Sequence, residues 1–177
     1  MEQRSDSYPS RGYRAGATQA CASIAQIVEV IMARVFFQAI PTAEIALTAA
    51  TVRTVVQVLA PTNHRIAVIG WGVSFDGVAV TNEPVQVELV RQTAAGTMTA
   101  LTLTQSKPVA ETILSSASHS ATSTEPTTTD ILDVMEVHPQ GGFEKACDFE
   151  IAGGGRVAIR CTAPAGVNVR PKLFCEE

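Results

Sequence analysis

Alternation of apolar and polar positions dominates this chain from Gln38 onward, where no helical period is found. The pattern is strongest in His64–Gly77, HRIAVIGWGVSFDG, an apolar run that carries the sole tryptophan and ends in Asp-Gly. Ala67, Ile69, Trp71, Val73 and Phe75 share one parity and are the bulkier set, so they are expected to face a core. Gly70 and Gly72 flank the indole on the opposite parity, which predicts a bulge or a close approach by another backbone. The stretch reads as a long central strand of an antiparallel sheet.

The remaining elements follow from the same pattern. IPTAEIALTAAT leads into a valine-rich strand over Arg53–Ala60, and Val85–Gln92 alternates with Val85, Val87 and Leu89 inward and Gln86, Glu88 and Val90 outward. Met98–Thr104 alternates again. Asp130–His138 does so irregularly through Leu132, Val134 and Val137. A short strand is expected around Phe149 and Ile151, then strands over Arg156–Thr162 and Val167–Cys175, with Pro171 predicting an edge position or a bulge. Lys107–Thr129, with SSASHSATSTEPTTT inside it, has few bulky apolar residues and reads as a long exposed, mobile loop or as short extended edge pieces. About eight strands separated by turn residues predict an all-β fold, an antiparallel β-sandwich of jelly-roll type.

The N-terminal part differs. Residues 1–16 are polar and read as an arm, while Ile24, Ile27, Val28, Ile31 and Val35 recur at helical spacing and predict a short amphipathic helix. Arg4, Arg11 and Arg14 give a faint leader-like look, but Gln26 and Glu29 interrupt the apolar run and no clean small-residue cleavage site follows, so an amphipathic helix or fraying arm is expected ahead of the alternatives, a targeting segment or a membrane anchor. Met32 opens a segment that reads like a natural start, which would make 1–31 an extension. The domain organisation expected is an arm with its helix over 1–37 and a β-sandwich over 38–177.

Charge and chemistry add exclusions. Charged residues make up only 17% of the chain and the net charge is −4, with the basic residues scattered, which argues against nucleic acid as a partner. Cys21, Cys147, Cys161 and Cys175 form no CxxC pair, so no zinc site is expected. Cys161 and Cys175 fall in the last two strands, where they are expected side by side, as a core-packed reduced pair or as a disulfide. His64, His119 and His138 lack ligand spacing, and Gly153-Gly154-Gly155-Arg156 reads as a β-turn rather than an anion cradle. Asp76, Glu83, Asp130, Asp133 and Glu136 read as solvated loop acids, with a calcium site as the sharper alternative. Ser74 and Ser118 sit in no nucleophile elbow. No catalytic, cofactor-binding or metal-ligating residue is assigned, and no cofactor is expected.

The succession IPTAEIAL, APTNHRIAVIGWGVSFDG, EPVQVELVRQTAAGT, SHSATSTEPT, EVHPQGG and GGGRVAIRCTAPAGVNVRPKLFCEE, covering Met32 to Glu177, resembles small structural proteins of tailed-bacteriophage virions, of the capsid-decoration or minor-capsid kind. The resemblance implies a non-enzymatic β-sandwich that decorates or stabilises a capsid by oligomeric assembly on its surface. Its partners would be itself, most simply as a homotrimer, and the major capsid protein or other virion proteins, with no nucleic acid and no membrane. It would be made in the host cytoplasm and located on the virion. The alternative is a carbohydrate- or receptor-binding β-module of a virion, against which the scarcity of aromatics (5%) counts, because sugars stack on Trp and Tyr. An enzyme on a jelly-roll scaffold is the third class, and it lacks the histidine spacing such sites use.

Overall fold

A computed structural model of the chain describes residues 34–76, 83–107 and 111–177. The arm of 1–16, Cys21 and the helix expected within 17–37 lie, as far as residue 33, outside the described residues. Arg34–Glu177 forms one unit, and its first strand starts at Phe36, inside the stretch assigned to the arm, with Phe37 fully buried in the core.

Twelve strands form two antiparallel sheets packed as a β-sandwich, with no helix among the described residues. They are β1 Phe36–Ala39, β2 Ile45–Leu47, β3 Val52–Leu59, β4 Ile66–Phe75, β5 Val85–Gln92 and β6 Thr99–Leu101. β7 Thr104–Gln105, β8 Ser116–His119, β9 Thr128–Val137, β10 Gly142–Ile151, β11 Arg156–Thr162 and β12 Val167–Glu176 complete the set. One sheet runs β10-β4-β12-β1-β7, with β2 also on β12; the other runs β6-β8-β3-β11-β5-β9. Among the described residues no strand pairs with its neighbour in sequence. The pairing is nested instead: β1 with β12, β3 with β11, β4 with β10 and β5 with β9.

β4 is the central strand the sequence predicts, but its two halves face the core with different parities. Val68 pairs with Phe149 and Cys175, Gly70 pairs with Ala146 and Phe174, and Ile69 is left between the two registers. This bulge shifts the alternation by one residue. Ile66 and Val68 are therefore fully buried before it, and Trp71 and Val73 after it, while Ala67 and Ile69 turn away from the core. The expected inward set holds only from Trp71 onward.

Trp71 lies between the sheets with 0% exposure. Its ring meets Phe143 of β10 edge to face, centroids 4.7 Å apart. The indole N–H donates to Asp133 Oδ2 on β9 at 3.3 Å, and Lys145 of β10 donates to the same oxygen at 2.8 Å. One carboxylate thus ties the two sheets together along the side where β9 and β10 are the edge strands. Burial alone pushes the Asp133 carboxyl up, but the hydrogen bond and charge of Lys145, the Val134 amide and the Trp71 indole outweigh it and hold it below its ordinary value.

The opposite side is closed by the insertion between β5 and β9. Met98–Thr104, expected as one strand, splits: β6 joins the β5 sheet, and β7 caps β1 in the β4 sheet. β8 caps β3. Short edge strands of this kind blunt an otherwise sticky edge.

The polar stretch holds the short extended piece that the sequence allowed, β8, and the part expected as a mobile loop beyond it is bonded to the sheet. Past β8, the Ser120 and Ala121 amides donate to Val55 and Thr54 carbonyls at 3.1 and 3.0 Å. The segment then folds over the outer face of the β5 sheet beside residues 93–98, with Thr93 to Thr127 and Thr97 to Thr124 backbone bonds of 2.9 Å each. Under these two segments the outward residues Thr54, Gln57, Val90, Gln92 and Ala158 are buried. Gln57 donates to Gln92 at 2.6 Å and to the Ala94 carbonyl at 3.1 Å, and Gln92 donates to Thr54 at 3.0 Å, so the covered amides are satisfied. Few apolar residues were needed to order the stretch because hydrogen bonds to the sheet do the work.

Pro171 lies in β12, a central strand rather than an edge. On the flank away from β4, β12 passes from β2 (Val167–Val169) to β1 (Leu173–Glu176), and Pro171 sits in the gap where no neighbour requires its missing N–H.

Two predictions follow from the cross-sheet contact. Trp71→Ala should cost about 3–5 kcal/mol, as large aromatic truncations in cores do, read as a lower denaturant midpoint. Asp133 has a depressed folded-state pKa, so its contribution is full above the unfolded value and is lost as pH falls through the folded one, below about pH 4. Emission from Trp71, the sole tryptophan, should report this acid transition. Lys145→Met should move the transition to higher pH; an unmoved transition would separate Lys145 from the stability of the contact.

Candidate interaction surface

The two outer faces of the sandwich differ. That of the β5 sheet is roofed over, while that of the β4 sheet has no such cover among the described residues. Its middle is bare because β4 presents Gly70, Gly72 and Ser74 there. The neighbouring strands supply contrasting side chains in register. Beside Gly70 stand Phe174 of β12 and Ala146 of β10; beside Gly72 stand Lys172 and Glu144; beside Ser74 stand Arg170 and Gly142. β12 is therefore the bulky, basic flank, and β10 the small, acidic one.

At the Gly70 level the surface dips into a shallow hollow of about 530 Å³ whose apolar lining comes from Phe36, Ile69, Ala146 and Phe174. Lys107 stands over the Phe36 ring, its Nζ 4.2 Å from the centroid. The charges around the hollow are paired: Arg34 with Glu176 at 2.6 Å, Arg65 with Glu150 at 3.1 Å, and Lys172 with Glu144 at 3.5 Å across the bare Gly72. Apart from the largely covered Glu176, the partners are exposed, and such surface pairs each add little to stability. The two glycines differ in tolerance. A Cβ on Gly72 would lie 2.3 Å from the Phe143 carbonyl oxygen, while one on Gly70 would meet only 3.4 Å contacts. The close backbone approach the sequence predicts is at Gly72, and the bulge is beside Gly70.

The residues weighed for chemistry in the sequence are scattered. His64 closes the Pro61–His64 turn, His119 is on β8, and His138 starts the turn between β9 and β10. No group of three metal-ligating side chains occurs among the described residues. Gly153–Gly155 is a turn with Gly154 at φ 75°; the Gly154 amide donates to the Pro61 carbonyl at 3.0 Å, and the neighbouring Arg156 guanidinium donates to the Thr93 carbonyl. Asp76 accepts from Asn168 at 2.6 Å, and Asp130 and Glu136 are exposed on β9.

Cys161 and Cys175, expected side by side, belong to different sheets and are free thiols. Burial pushes both well above the ordinary thiol value, and burial chiefly pushes Cys147 up to about 11. Ser74 lies on the open face and Ser118 on the covered one. No helix among the described residues is long and apolar enough to cross a membrane.

Gly72→Ala should destabilise the fold by roughly 1–3 kcal/mol through overpacking, and Gly70→Ala clearly less, measured by chemical denaturation. Equal costs would contradict the specific approach of β10 at Gly72.

No family model, curated protein or solved structure matches this chain.

Proposed function

We propose that this protein is a non-enzymatic structural component of a tailed-bacteriophage virion, working by assembly with copies of itself and with the capsid or other virion proteins. The observation that carries the reading is the strand order. β10-β4-β12-β1 lies opposite β9-β5-β11-β3, and the eight strands pair as nested couples, an order we read as that of a jelly roll. Jelly rolls recur in viral capsid proteins, although a fold by itself does not name a function. Two further features support the same reading. The sequence resemblance to small virion proteins spans roughly Met32 to Glu177, and the segments that carry it include β4, β5, β11 and β12. In addition, one outer face is closed while the other, uncovered among the described residues, is apolar at its centre and flanked by charge pairs, as suits contact with another protein surface.

Peptide mass spectrometry of virions purified from a phage carrying this gene tests the reading. The protein should be present in many copies per particle and remain after density-gradient purification. Its absence from particles, with the protein found only in the infected-cell lysate, would overturn the proposal.

A further inference from the structure

We propose that a second copy of this chain docks face to face on the open face of the β4 sheet, about a two-fold axis running along β4. The register of β10 and β12 on β4 makes this face self-complementary. A two-fold axis along β4, in the plane between two facing sheets, lays β12 of each copy over β10 of the other and keeps every residue at its own level along the strand. At the Gly70 level, Phe174 of one copy then comes over Ala146 of the second and enters the hollow beside it. At the Gly72 level, Lys172 comes over Glu144. At the Ser74 level, Arg170 comes over Gly142, the one residue there without a side chain. Bulk meets space at the Gly70 and Ser74 levels and base meets acid at the Gly72 level; β4 adds no side chain larger than Ser74 at these three levels, and its outward Ile69, in the hollow, meets its own copy near the axis, apolar on apolar.

Like charges meet only at the Ala67 level, where Glu176 and Glu150 flank β4. There each acid already has its own arginine, Arg34 at 2.6 Å and Arg65 at 3.1 Å. The Lys172–Glu144 pair, by contrast, is stretched to 3.5 Å and half-exposed, so both groups are free to gain a shorter partner across the axis. An isologous contact of this kind closes on itself and stops at two copies.

The size of the face sets the expected strength. β4, β10 and β12 are ten residues each. Across this axis only these three overlap, since β1 of each copy lies beyond the edge strand β10 of the other, and they span about 14 by 33 Å, or about 460 Å² per copy, well below the roughly 800 Å² of a standard interface. The dimer is therefore expected to be weak and concentration-dependent. The inference rests on the assembly part of the proposed function and not on the virion: a chain absent from particles can still dimerise, and a chain present in them can fail to.

Sedimentation equilibrium on the full chain tests it. The wild type should follow a monomer–dimer equilibrium. Lys172→Glu makes the Gly72 level wholly acidic and Glu144→Lys makes it wholly basic, so each variant alone should dimerise at least tenfold more weakly. An equimolar mixture of the two should recover a dimer, because every pair across the axis is then opposite in sign. Loss of an internal ion pair alone would not produce that recovery. Ala146→Arg, which fills the hollow from an exposed position, should also abolish dimerisation while leaving Trp71 emission unchanged. A wild type that is monomeric throughout, a trimer mass, or a mixture no more associated than its components would each overturn the proposal.

Discussion

Trp71 is too large to leave wet and carries an N–H that cannot be left unbonded. In the interior of a β-sandwich these demands conflict, since a dry site offers few acceptors. The chain resolves the conflict at the rim. Asp133 reaches in from β9, accepts the indole hydrogen bond, and has its charge balanced by Lys145 at the solvent boundary. The arrangement requires β9 and β10 to stand opposite one another as edges of different sheets. That fixes how the sheets are laid together on one side, while the insertion carrying β7 and β8 fixes the other.

From this follows the division of labour between the two outer faces. The insertion has to return from β8, one strand in from the β6 edge of the β5 sheet, to β9 at its other edge, and the path it takes covers that sheet's outer surface. The polar residues it meets there form a closed hydrogen-bond set through Thr54, Gln57 and Gln92. Arg160 and Glu88 add a bonded ion pair at 2.6 Å. The β4 sheet receives no such cover among the described residues, and its face keeps the mixture of apolar centre and charged rim typical of surfaces that meet other proteins.

Much of this was legible in the chain because a period of two survives wherever one face of a strand is buried. Val85, Val87 and Leu89 declared β5 without ambiguity, and Trp71 with its flanking glycines marked the central strand. The inward set failed at Ile69 because a bulge depends on the register of β10 and β12, which no local pattern carries. β10 was underestimated because Glu144, Lys145, Asp148 and Glu150 obscure its alternation. The segment after β8 misled because its order comes from hydrogen bonds rather than apolar burial. For the candidate surface, Gly70 and Gly72 were conspicuous from the start. Their meaning depended on which residues stand beside them, and that is a property of pairing between strands over a hundred residues apart in β12 and over seventy in β10.

The nested pairing also constrains how the chain comes into being. β12 lies between β4 and β1, so during synthesis the β4 sheet has an empty centre until residues 167–176 have left the ribosome. Until then β4 and β1 both expose an unpaired edge, and Trp71 lacks one wall of its pocket. With no local hairpin to nucleate on among the described strands, the contacts that hold this sandwich must be found over long loops, which is slow. A nascent chain of this kind spends its early life as open sheet, and its yield in a crowded cell depends on how well those edges are kept apart from their neighbours.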